Sequence, residues 1–288
     1  MALRALYDVA APAKLNFFLH VIGRRADGYH LLQSLFVLID WCDTLHFERR
    51  EDGRLARHDL GVELPADDLC LRAARSLQQL SGTSFGAEIS IDKQLPAGAG
   101  MGGGSSDAAS TLLALNRLWG LNWPRARLAE IALTLGADVP FFVGGHNAFV
   151  EGIGERLTPV PVPTQWLAVV KPPQSIETRA IFSSPLLVRD TEAVILEGFL
   201  ADTCAPNFGR NDLQPPAEAV CPEVAQAASV LNDRFGNSRM SGSGSAVFAR
   251  AGMSEQPVAQ IPENLLPGWV ARMCRSLQQH PLVGWAAD

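Results

Sequence analysis

The spacing of apolar positions changes period several times along the chain. Residues 13–22 (AKLNFFLHVI) are almost continuously apolar and predict a buried strand. A polar turn at 24–30 (RRADGYH) separates them from a second apolar run at 31–40 and an alternating stretch at 44–49 (TLHFER). Over 67–80, Leu69, Ala73, Ala74, Leu77 and Leu80 recur at helical spacing, and Gly82 follows as a stop signal. Period two returns at 87–94 (AEISIDKQ), which predicts a half-buried strand. After a glycine-rich loop, Ala108, Leu112, Leu115 and Trp119 share one face of a predicted helix over 105–119, ended by Gly120. Ser105, Ser106 and Asp107 suit its start. Residues 125–135 predict another helix.

Prolines cluster at 158–164 (TPVPVPT), and a domain boundary is expected there, dividing residues 1–160 from 161–288. Beyond it, 166–170 predicts a strand, 192–200 and 218–235 predict helices, and 239–250 (RMSGSGSAVFAR) predicts a glycine-serine turn running into a strand. Strands and helices mixed in this way predict an α+β fold of two domains.

Composition changes this picture little. With 47% hydrophobic and 19% charged residues the chain is ordinary globular protein. A net charge of -6 argues against a nucleic-acid partner, which needs a basic face. Five cysteines without C-x-x-C spacing argue for reduced thiols over a disulfide framework or zinc site. No apolar run reaches membrane-spanning length, so a cytoplasmic protein with no membrane partner is expected. Lysine is scarce, at Lys14, Lys93 and Lys171 only.

The candidate chemistry sits at 95–109 (LPAGAGMGGGSSDAA), between a strand pattern and a helix pattern. Glycines there let backbone N–H groups approach an anion, and the following helix offers its unpaired N–H groups to the same spot. Phosphate is the natural guest. The formal G-x-G-x-x-G of Gly98, Gly100 and Gly103 lacks the second strand that a dinucleotide fingerprint requires. Gly-Lys-Ser/Thr, H-R-D, D-F-G and G-x-S-x-G are absent as well. The bland alternative is a glycine turn with a capped helix, although a turn needs only one or two glycines.

Three segments in order, PAKLNFFLHVIGRRADGYHLLQS (12–34), LPAGAGMGGGSSDAA and RMSGSGSAVFA, resemble the GHMP kinases. P-A-K-L-N with R-A-D-G-Y-H, LGADVPFF (135–142) and GHNAFVEGIGE (145–155) narrow the resemblance to the 4-diphosphocytidyl-2-C-methyl-D-erythritol kinases of the non-mevalonate isoprenoid route. The resemblance implies a two-domain fold with the active site in the interdomain cleft. It also implies ATP with Mg²⁺ as cofactors, and transfer of the γ-phosphoryl group to the 2-hydroxyl of that small-molecule substrate. Ala99, Met101 and Asp107 depart from the family's loop, and Asp107 brings a negative charge close to a phosphate site unless it points away.

Roles follow residue by residue. Asp138 is implied as the base or orienting group for the hydroxyl, its bland reading being a helix cap before Pro140. Lys14, a charge in an apolar strand, is expected to pair with Asp138 and to stabilise the transferring group. Nucleotide binding falls to Pro96, Gly98, Gly100, Gly102, Gly103, Gly104, Ser105 and Ser106, with Lys93 placed near the base. Asn16, Tyr29, His30 and Phe182 are implied for the substrate pocket, Tyr29 and Phe182 by stacking and His30 at the ring edge. The Mg²⁺ ligands stay unnamed. Gly242, Ser243 and Gly244 are implied as a second glycine turn against the first loop, and Asp27 and Gly28 as turn formers only. Another kinase of the superfamily, a non-catalytic nucleotide-binding regulator and a NAD-binding oxidoreductase remain as rivals. The R-A-D-G-Y-H turn, the joint presence of Lys14 and Asp138, and the missing second strand speak against them in turn.

Overall fold

A computed structural model describes residues 3–196 and 209–288. Its first sheet grows from one long antiparallel hairpin, β1 (Ala5–Arg24) and β2 (His30–Arg50). The three runs expected as separate strands are parts of these two. Register shifts between Leu6/Val9, Pro12/Lys14, Asn16/Leu19 and Val21/Gly23 let so long a ribbon bend around the core. The shift at Pro12/Lys14 leaves the Lys14 N–H facing the glycine loop, where it donates to the Met101 carbonyl at 2.9 Å.

β3 (Leu55–Asp59), β4 (Gly86–Asp92), β5 (Ala148–Gly152) and β6 (Arg156–Pro159) complete this sheet in the order β3-β4-β2-β5-β6, with β1 on β2. The helices α1 (Leu69–Ser81), α2 (Gly103–Leu118), α3 (Arg125–Leu135) and α4 (Val139–Gly144) belong to the same half. The Asp68 carboxylate caps α1 by accepting from Leu71 N at 3.0 Å, and left-handed Gly82 closes it. α2 begins at Gly103, two residues earlier than predicted. Gly102, at φ 72°, is its N-cap, and no serine or aspartate side chain caps it.

The second sheet is antiparallel, with β7 (Trp166–Lys171), β8 (Arg239–Met240), β9 (Val247–Arg250) and β10 (Val270–Arg275) in the order β10-β7-β9-β8. Among the described residues, α5 (Thr178–Ser183), α6 (Gln214–Val220) and α7 (Pro222–Phe235) belong to this half. The helix predicted over 218–235 is thus two. Pro222 lacks an N–H and disfavours helical geometry at Cys221, so the chain breaks there and restarts. The helix predicted over 192–200 runs into residues outside the described ones.

Among the described residues, three apolar clusters hold the molecule together. α1 to α4 cover one face of the first sheet, with Leu112, Leu113 and Phe142 fully buried. A middle cluster joins Leu15, Phe17 and Val37 of the hairpin to Leu167, Val169 and Phe248 of the second sheet. This explains why 13–22 is apolar without alternation: both of its faces are covered. The third cluster lies under α5 to α7 and takes in Leu19 and Val21 from the end of β1. Residues 276–288 cross back to the first half, where Leu282 enters the first cluster. Among the described residues no helix is long and apolar enough to cross a membrane.

Candidate active site

Lys14 reaches the junction of the two halves from the bulged part of β1. Its ammonium is buried, 2.6 Å from Asn16 Oδ1, 3.5 Å from Asp138 Oδ2 and 4.4 Å from the centre of the Phe36 ring. Asp138 stands just before α4, yet its side chain caps nothing. Pro140 near the start of α4 removes a backbone donor there, and the carboxylate turns toward Lys14 with about a third of its surface open (32%). A buried cation thus faces a half-open carboxylate at the edge of a cavity.

The glycine loop forms the adjoining wall. Gly98, Gly100 and Gly102 have φ of 60°, 70° and 72°, a left-handed backbone that favours glycine. A Cβ on Gly102 would lie 2.9 Å from the Phe142 ring and 3.3 Å from Lys14 Cγ. A Cβ on Gly100 would lie 2.2 Å from the Ser241 carbonyl oxygen. The second glycine turn therefore packs backbone to backbone on the first. Ser245 N donates to Gly98 O at 3.1 Å, Ala246 N to Ala99 O at 3.2 Å, and Ser241 Oγ to Gly100 O at 3.0 Å. Pro96 opens the loop half-buried, Gly103 and Gly104 begin α2, and Ser105 is half-buried in its first turn. Ser106 Oγ is buried, with no hydrogen-bond partner among the described residues. A cradle without side-chain bulk, a helix start and that hydroxyl fit a nucleotide's phosphates.

Lys93, expected near the base, is held by two carboxylates. Its ammonium is bound to Asp43 and to Asp107 Oδ2, the latter at 2.5 Å, beneath the start of α2. Asp43 Oδ1 also accepts from Gln94 N and Leu95 N at 2.6 and 2.7 Å, which fastens the root of the loop. The Asp107 carboxylate is thus buried and held by Lys93. Burial, with Asp43 alongside, pushes its carboxyl up to about 8 against the pull of Lys93.

The other wall is a cavity of about 1090 Å³ reached from the β1–β2 turn and α5, lined among others by Tyr29, His30, Asp138, Thr178, Phe182 and Arg189. Tyr29 is 61% exposed at its rim. His30 stacks directly on Phe182, ring centres 4.9 Å apart at 28°. Asp27 and Gly28, expected only to shape the turn, line the cavity too. Asn16 is buried behind Lys14, its amide engaged by Lys14, Ser34 and Ser241, and it lies outside this lining. Sequence reasoning missed Arg189, which donates to His30 Nε2 at 3.2 Å, and Thr178, hydrogen-bonded to Ser243 of the second glycine turn at 2.8 Å. No signal marks either, since each is a polar residue in a polar stretch.

The pattern described as GHMP kinases N terminal domain matches residues 68–146, and that described as GHMP kinases C terminal matches residues 199–280. A Methylibium petroleiphilum protein named 4-diphosphocytidyl-2-C-methyl-D-erythritol kinase is 66% identical over 288 residues, covering 99% of this chain and all of its own length. The chain belongs to the 4-diphosphocytidyl-2-C-methyl-D-erythritol kinase family of GHMP kinases. A Variovorax paradoxus protein of the same name is 56% identical over 99% of this chain and all of its own length. The crystal structure of a 4-(cytidine 5'-diphospho)-2C-methyl-D-erythritol kinase superposes with a TM-score of 0.76 at 32% identity, covering 93% of this chain and 98% of its own. A homoserine kinase from Cytophaga hutchinsonii shares the fold, with a TM-score of 0.73 at 15% identity, covering 96% of each chain. As a GHMP kinase the chain is an ATP-dependent small-molecule kinase, and its α+β fold places the site between the two halves.

Proposed function

We propose that this kinase transfers the γ-phosphoryl group of ATP to the 2-hydroxyl of 4-diphosphocytidyl-2-C-methyl-D-erythritol, in the non-mevalonate route to isoprenoids. The observation that carries the reading is the Lys14–Asp138 pair, set between a phosphate cradle and a cavity edged by stackable rings. Bound Mg-ATP supplies the phosphoryl group. Asp138 accepts the proton of the substrate hydroxyl while its oxygen forms the bond to phosphorus and the bond to ADP breaks. Lys14 holds that carboxylate in place and offsets negative charge on the transferring group. Gly98, Gly100, Gly102, Gly103 and Gly104 with Pro96, Ser105 and Ser106 would hold the nucleotide's phosphates. Mg²⁺ would rest mainly on phosphate oxygens and water, with the buried Ser106 Oγ, unpartnered among the described residues, as a protein hydroxyl that would turn to it. Tyr29, His30 and Phe182 would take the cytosine ring, and Asn16 would serve by positioning Lys14.

We place the domain division after residue 160, between the two sheets, with residues 276–288 packed back on the first domain. A cytoplasmic location without nucleic-acid or membrane partners goes with the acidic charge. The test is ADP release with Mg-ATP and four acceptors: the cytidine diphosphate substrate, homoserine, mevalonate and galactose. Turnover is expected with the first alone. Turnover with another alcohol in its place would keep a kinase and discard the cytidine pocket.

A further inference from the structure

Arg189 lies on the segment after α5, 159 residues from His30. Its guanidinium binds the end of that helix: Nη2 donates to Phe182 O at 3.0 Å and Ser184 O at 2.9 Å, and Nη1 to Leu187 O at 2.9 Å. The Nε–H points at His30 Nε2, 3.2 Å away. A guanidinium keeps its protons and can only donate. His30 Nε2 therefore has to accept, and an imidazolium would set donor against donor.

We infer that Arg189 is a specificity-determining positioning residue: it locks His30 as the neutral imidazole carrying its proton on Nδ1, and this selects cytosine over uracil. The inference rests on the cytidine reading above. The ring is also fixed by its stack on Phe182, whose carbonyl the same guanidinium holds, so one side chain orients both aromatic groups. Burial first, then the charges of Arg189 and Arg24, lowers the pKa of His30, in keeping with a neutral ring.

The consequence is an edge of fixed polarity. With Nε2 committed to Arg189, the group left for a ligand is the Nδ1–H donor. Cytosine offers its unprotonated N3 to such a donor, the one ring-edge acceptor beside O2 that uracil lacks. Uracil carries a hydrogen on N3, so the same placement opposes two donors. A desolvated polar group left without a partner is costly enough to discriminate by on the order of 10–100-fold.

The test uses the full chain labelled with ¹⁵N-histidine, with His30→Gln to assign the signal, and needs no substrate for its first part. Long-range ¹H–¹⁵N spectra at neutral pH are expected to show the Nδ1–H tautomer in wild type and a redistributed mixture in Arg189→Met. In parallel, kcat/KM is compared for the cytidine and uridine diphosphate forms of methylerythritol. The preference for cytidine is expected to fall by roughly tenfold or more in Arg189→Met, with KM for ATP unchanged. Arg189→Lys keeps charge and one donor should the methionine variant fold poorly, and is expected to fall between. An Nε2–H tautomer or an imidazolium in wild type overturns the inference. So does a changed tautomer with unchanged base preference. Refusal of the cytidine substrate by wild type would overturn base selection together with the underlying reading, while the spectra still judge the Arg189–His30 lock separately.

Discussion

Lys14 is held by an amide oxygen, a carboxylate and a ring face, and only the carboxylate is open to solvent. That asymmetry makes Asp138 the group able to meet a substrate hydroxyl. Asparagine at 138 keeps the shape and takes no proton. Asp138→Asn is expected to lower kcat by about 10²–10⁴-fold while calorimetric ATP affinity stays near wild type. An unchanged kcat would remove Asp138 from the chemistry. Lys14 stands out in the sequence because a charge inside an apolar run has to be accounted for. Asp138 is singled out only by the resemblance, a helix cap being an equal reading of the residues alone. Arg189 does not stand out, because an arginine in a polar loop departs from no pattern and its partner comes from the other half. The partners of Lys93 were hidden for a related reason. Its place near the glycine loop was legible, whereas the two carboxylates that claim its ammonium are 50 residues before it and 14 after.

The two glycine turns act as one element. Gly100 meets backbone, the Ser241 oxygen and the Gly244 nitrogen, and backbone cannot rotate aside. Gly100→Ala places a side chain at φ 70°, costing about 1–2 kcal/mol for the left-handed backbone alone, and it also forces the turns apart. A lower Tm and loss of the Tm rise given by added ATP are expected in thermal melts. Gly104→Ala is the control for the fold. Its nearest neighbour would be Leu69 Cδ1 at 3.7 Å, ordinary contact, and its Tm without ATP should match wild type. A Gly100→Ala protein as stable and as ATP-responsive as wild type would contradict the packing. The helix-forming stretches and the loop itself were legible from period and glycine content. The single long hairpin was not, because bulges interrupt the alternation that marks a continuous strand. Nor was the left-handed glycine cap of α2, since Ser105, Ser106 and Asp107 all advertise a start two or more residues later.

Across the whole molecule, residues 276–288 tie the second half to the first. Arg125 at the start of α3 donates to Val143 O, Val283 O and Ala286 O, and pairs with Asp288 at 2.7 Å. His280 is fully buried beside it, its backbone N–H on Gly145 O and its Nδ1 accepting from Leu282 N at 3.0 Å. Burial, then the Arg125 charge, pushes the His280 pKa down to about 3. Below about pH 6.5, its ordinary value, the unfolded chain binds a proton that the folded one refuses. Stability therefore falls as pH drops from there toward 3, by about 1.4 kcal/mol per pH unit from this group. Urea titrations at several pH values should show that slope, and His280→Gln should flatten it by one proton's worth. Equal slopes in the two proteins would mean that His280 charges freely in the fold.

The return of this segment also bears on how the protein is made. A ribosome delivers α1 to α4 long before Leu282, the side chain that enters their core. Until the second half has emerged, a nascent first half carries an apolar gap and lacks the second glycine turn that backs its phosphate loop. Nucleotide affinity should therefore arrive late in synthesis. Trigger-type chaperones have a defined window in which to occupy that gap.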